Sequence, residues 1–88
     1  MPTLSIFYGI IVRMFSETTT SHCLPHIHAS YAEHEVVVAL DGTILDGGLP
    51  TNKMKLLLAW MEIYQDDLQV NWVLLGEGRP QRKIKPLR

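Results

Sequence analysis

Two histidines separated by one residue, His26 and His28, sit in the one segment whose residue types suit chemistry better than packing. The stretch Ser21 to His34 holds all four histidines and the only cysteine. On a strand, residues two apart project from the same face, about 7 Å apart at the backbone. Imidazoles at that spacing can converge on one zinc, iron or copper ion, which makes a divalent transition metal the cofactor to consider. Cys23 and His22 precede His26 by three and four residues, and His34 follows across an expected turn. These three are the weaker ligand candidates. The cluster has neither a Cys-x-x-Cys pair nor a His-Glu-x-x-His helix, so the competing reading is a pair of surface histidines on the polar face of a strand.

Catalysis is the weaker use of the same residues. A histidine titrates near neutral pH and can move a proton. Cys23 would have to be held as a thiolate by a neighbouring protonated histidine, with Glu33 or Glu35 orienting a ring. The chain is small for an enzyme with a substrate pocket. Gly47-Gly48 lacks the Lys-Ser/Thr of a phosphate-binding loop, and no nucleophile elbow is present. The alternation resembles that of histidine-triad hydrolases only in part, because Ser30 stands at the third position. The expectation is binding in preference to catalysis.

The elements that must position these residues are strands first and helices after. Thr3 to Phe15 is rich in β-branched and aromatic residues, interrupted by Gly9 as a type II′ hairpin turn or a bulge. Ser16 to Leu24 is a polar loop, closed by Pro25. His26 to Tyr31 alternates, with Ile27, Ala29 and Tyr31 facing inward and His26, His28 and Ser30 facing outward. Ala32 to His34 is a turn. Glu35 to Leu40 is a strand apolar on both faces, Asp41-Gly42 a type I′ turn, and Thr43 to Asp46 the returning strand.

Thr51 to Leu75 carries an apolar stripe at Leu57, Met61, Tyr64, Leu68, Trp72 and Leu75. Trp60 is displaced from it, covering another part of the sheet or a partner. As one helix the segment would run about 37 Å, too long for so small a domain. A break is expected near Gln65-Asp66-Asp67, with Thr51 capping the first helix, Asp66 or Asp67 the second, and Gly76 following its end. The fold class is α+β: an antiparallel β-meander of four or five strands followed by two helices packed on one face.

At 88 residues, 47% hydrophobic and 19% charged, residues 1–88 read as a single globular domain. No apolar run approaches the roughly 20 residues of a membrane helix. The single cysteine and the absence of a signal-peptide pattern point to the cytoplasm. The net charge of −1 hides an asymmetry. Arg79, Arg82, Lys83, Lys85 and Arg88 lie in the last ten residues with no acid among them, whereas residues 1–78 hold three basic side chains against nine acidic ones. This basic C-terminal tail, 79–88, is a candidate contact for nucleic acid or an acidic partner; the competing reading is a solvated end, with Ile84 and Leu87 available to tack it down. Phe7, Tyr8 and Tyr31 could stack on bases but suit the core as well.

The chain resembles a family of small prokaryotic proteins, domain-of-unknown-function family 4160. The resemblance runs through Met1-Pro2-Thr3-Leu4-Ser5-Ile6-Phe7-Tyr8-Gly9-Ile10, Pro25-His26-Ile27-His28-Ala29, Gly48-Leu49-Pro50, Leu58-Ala59-Trp60, Asn71-Trp72 and Lys83-Ile84-Lys85-Pro86-Leu87. The family typically has phenylalanine at Ile27, and often Tyr-Gly-Glu where Tyr31-Ala32-Glu33 stands, so the missing glycine implies a longer turn through His34. The resemblance implies no activity. It implies pairing with another small protein, in an arrangement similar to toxin–antitoxin pairs. The expected function is therefore an accessory or regulatory binding domain, with a protein or nucleic-acid partner; the alternative is a metal-binding protein using His26 and His28.

Overall fold

Residues 3–15 and 24–87 are described by the structure, a computed structural model. The elements run β1 (Thr3–Phe7), β2 (Ile10–Arg13), β3 (His26–Tyr31), β4 (His34–Ala39), β5 (Ile44–Gly47), α1 (Thr51–Ile63) and α2 (Gln65–Gly76). The strands form one five-stranded antiparallel sheet in chain order. The α+β meander with two following helices is thus the observed fold.

Alternation in β3 sets which face is inside. Ile27 and Ala29 are buried, and their cross-strand partners Val38 and Val36 are buried with them, as is Val12 opposite Ala29. These side chains meet Leu57, Trp60 and Met61 of α1 and Leu68 of α2 in one core. A one-residue slip would turn this whole apolar set outward, so burial fixes the register. Trp60, expected off the stripe, is fully buried and packs 5.2 Å from the Phe7 ring.

Turn chemistry departs from expectation in three places. Phe7 pairs with Ile10, so Tyr8-Gly9 is a two-residue hairpin with positive φ at both positions, the type I′ pattern. Tyr31 pairs with His34, so Ala32-Glu33 is also a two-residue turn, and His34 opens β4 instead of closing a longer loop. Ala32 takes φ 52°, where an L side chain is crowded. Asp41-Gly42 is not a type I′ pair: Gly42 N–H donates to Ala39 O (2.8 Å), Gly42 alone has positive φ, and Asp41 Oδ1 accepts Thr43 N–H (2.9 Å). This is a three-residue turn with a glycine bulge, and it moves β5 one residue later than expected. The Thr43 hydrogen bonds hold the Asp41 carboxyl below its usual range.

The helix break falls at Tyr64, one residue before the expected stretch, and Tyr64 caps both helices. Neither Thr51 nor Asp66 or Asp67 provides a side-chain cap; Pro50 precedes α1, and the two aspartates sit in the first turn of α2, where the helix dipole favours acids. Gly76 is the last residue of α2 and not the one after it. Gly78 takes the left-handed position (φ 71°), with Gly78 N–H on Leu75 O (3.1 Å) and Arg79 N–H on Leu74 O (2.9 Å). That Schellman pattern turns the chain sharply back along the domain.

Strain at Ala32 gives a direct test. Ala32→Gly is expected to raise stability by about 0.5–1 kcal/mol, the left-handed cost less the extra freedom of an unfolded glycine. Chemical denaturation should show a higher midpoint at unchanged slope; a lower midpoint would mean the turn is relaxed with alanine.

Candidate functional site

His26 and His28 leave β3 on the face opposite Ile27 and Ala29, but they do not share one environment. His28 is half-buried, stands between Arg13 and Val37 in the strand register, and meets Phe15 edge-on at 4.6 Å. His26 is fully buried, which corrects the expectation of a surface pair. It begins β3, and the Trp72 ring of α2 lies 5.4 Å from it. Its Nδ1 is 2.7 Å from Leu24 O, and its ring is 5.3 Å from that of His28. Tyr31 points inward as expected and packs against the core, half-buried, with Lys53 Nζ 4.8 Å above its ring.

The other ligand candidates do not join this pair. His34 is exposed at the far end of the β3–β4 hairpin, 3.5 Å from Glu33. It is some five residues along β3 from His26, roughly 17 Å in a strand. His22 and Cys23 lie outside the described residues. Among the described residues no three His, Cys, Asp or Glu side chains gather as a metal set.

Around His28 the outer face of the sheet forms a shallow pocket of about 220 Å³, lined by strand residues and Phe15 with no helical residue. The strand register lays out its surroundings. One row reads Ile6, Ile11, Ser30 and Glu35; the next reads Arg13, His28, Val37 and Asp46. Polar Ser30 and His28 occupy the middle on β3, with Ile6 and Ile11 on the β1–β2 side and Val37 on β4; Arg13 lies on the β2 side, and Glu35 and Asp46 on the β4–β5 side. Sequence reasoning passed over Arg13, Phe15, Val37 and Asp46, although strand alternation from His28 would have placed Arg13 and Val37 beside it.

The basic tail forms a second surface. It is not a solvated end. Arg82 N–H donates to Asn71 Oδ1 (2.7 Å), Gln81 Nε2 to Met14 O (3.1 Å), Ile84 N–H to Leu4 O (2.8 Å), and the Trp60 indole to Lys85 O (2.8 Å). Ile84 is buried in the core and Leu87 packs against it. The segment is a strap that crosses from the end of α2 to the edge strand β1. Arg79, Arg82, Lys83 and Lys85 project from it exposed, and Arg88 lies outside the described residues. Asn71, which sequence reasoning did not single out as an anchor, is buried and also donates to Asp67 O (3.1 Å).

Asn71→Ala is expected to cost about 1 kcal/mol by removing the hydrogen bond from the Arg82 N–H to the buried Asn71 amide and to speed tryptic cleavage after Arg82 and Lys83. Unchanged stability and cleavage would show that Asn71 does not hold the strap.

No helix is long and apolar enough to cross a membrane, among the described residues. Neither a curated protein nor a solved structure matches the chain. A family model does match, over residues 9–73: the Domain of unknown function (DUF4160). That span takes in both histidines, the whole outer face from β2 to β5, and the helices as far as Val73, and the chain belongs to this family.

Proposed function

We propose that the chain is a cytoplasmic accessory or regulatory domain that docks a small partner protein on the outer face of its sheet, around His28. The observation behind this reading is the face itself. The core and most of the helical packing lie on one side of the sheet; on the other side α2 reaches only the His26 end, through Trp72, and the pocket around His28 is lined without a helical residue. Apolar Ile6, Ile11, Phe15 and Val37 lie among His28, Ser30 and the charges of Arg13, Glu35 and Asp46, a mixture that suits a non-obligate protein interface, which as a whole is about as polar as the rest of a protein surface. Ile6 is 58% exposed there, next to half-buried Ile11 in the register. A pocket of about 220 Å³ is below the roughly 300–1,000 Å³ of small-molecule sites, which favours a protein over a metabolite or substrate. The family resemblance adds a pairing of the toxin–antitoxin kind.

A photocrosslinking residue at Val37, compared with one at Glu62 on α1, tests this in the native host. Val37 should yield one discrete adduct with a small protein that Glu62 does not. The purified pair should lose at least about tenfold in affinity with Val37→Lys, as expected for a charge forced into an interface core. Adducts from both positions alike, or affinity unmoved by Val37→Lys, would overturn the reading.

A metal site has one observation in its favour. Ring centres 5.3 Å apart match the roughly 5–6 Å of two imidazoles sharing a zinc ion, and a carbonyl on His26 Nδ1 resembles the support that metal-bound histidines receive. It ranks second because the described residues supply no third ligand. Native mass spectrometry after zinc or nickel exposure should then show one ion, lost in His28→Ala; no bound ion in the parent chain removes this reading.

A further inference from the structure

The geometry points to a second binding surface, separate from the sheet face: we propose that the strap is a contact for the phosphate backbone of nucleic acid, made without reading sequence. Order comes first. Four hydrogen bonds and the buried Ile84 side chain fix the strap to α1, α2, β1 and the residue after β2. Its cations are therefore a surface with a shape, and a polyanion that meets them does not bear the cost of ordering a loose tail.

Charge comes second. Arg79, Arg82, Lys83 and Lys85 are exposed. Arg79 lies 3.5 Å from Glu77; among the described residues, Arg82, Lys83 and Lys85 have no carboxylate within ion-pair distance. At ~3.3 Å per residue, Arg82 to Lys85 spans about 10 Å, enough to meet two or three successive phosphates. The rest of the chain is acidic, with three basic against nine acidic side chains in residues 1–78. Attraction is thus confined to the strap, and Glu35 and Asp46 would repel the same polymer from the sheet face.

Composition decides between a nucleic acid and an acidic protein. A protein interface draws its affinity from apolar or aromatic anchors. On the strap, Ile84 and Leu87 turn into the domain, leaving cations and prolines outside. Phosphate contacts need only the charges. The strap has no aromatic residue to stack a base and no helix to enter a groove. Affinity should accordingly be modest, strongly dependent on salt, and indifferent to base sequence.

Fluorescence anisotropy with the full chain and short labelled DNA of two unrelated sequences, single- and double-stranded, tests this. Binding is expected at low salt, alike for both sequences, with log affinity falling against log salt at a slope of about 3–4 for four cations. Arg82→Gln with Lys83→Gln and Lys85→Gln should weaken binding at least about tenfold and lower the slope by about 2–3, with an unchanged circular dichroism spectrum. Lys55→Gln, an exposed lysine on α1, should change neither. No binding at low salt, or equal binding by the triple variant, would overturn the proposal. Equal competition by polyglutamate of matched charge would also overturn it, and would assign the strap to acidic proteins.

Discussion

The hydrogen bond from the Trp60 indole to the carbonyl of Lys85 (2.8 Å) closes this fold. Trp60 fills the centre of the core and is fully buried. A buried indole N–H without an acceptor would cost roughly 1–3 kcal/mol. The acceptor comes from a residue twenty-five positions later, so the core is complete only when the C-terminal segment lies across it. Ile84 enters the core beside that bond, and its N–H reaches edge strand β1. The last stretch of the chain is therefore part of the tertiary structure, and the basic side chains it carries are fixed as a consequence.

A second constraint follows from the amount of helix available. Two helices of 13 and 12 residues can cover one face of a five-stranded sheet. Ile27, Ala29, Val36 and Val38 claim that cover. The opposite face retains His28, Val37 and Ile11 with charges beside them. The two proposed surfaces are thus by-products of the same packing: one is the part of the opposite face, around His28, that the helices leave bare, the other is the strap that seals the helical side. Their charges keep them distinct, because the β4–β5 side of the bare face is acidic and the strap is basic.

Local patterns were legible in the sequence, and long-range contacts were not. Alternation in β3 correctly assigned Ile27 and Ala29 to the core, and the length of the apolar stripe called for a helix break, which falls at Tyr64. The His26–His28 pair was visible as spacing. The burial of His26 was not, because Trp72 arrives from a helix more than forty residues later. The strap was hidden for a different reason. Gln81, Ile84 and Trp60 bond to backbone carbonyls or from backbone amides, and such partners carry no residue signature. Only Ile84 and Leu87 hinted at attachment. Turn types depart from local preference where register decides: Ala32 accepts a left-handed φ because Tyr31 must pair with His34, and Leu40 joins Asp41 and Gly42 in a longer turn.

Backbone ¹⁵N relaxation across residues 79–87 tests most directly whether the strap belongs to the fold. The account predicts order parameters near 0.85 at Arg82 and Ile84, as in rigid secondary structure. Values below about 0.6 through this segment would make the tail a mobile end and contradict the account.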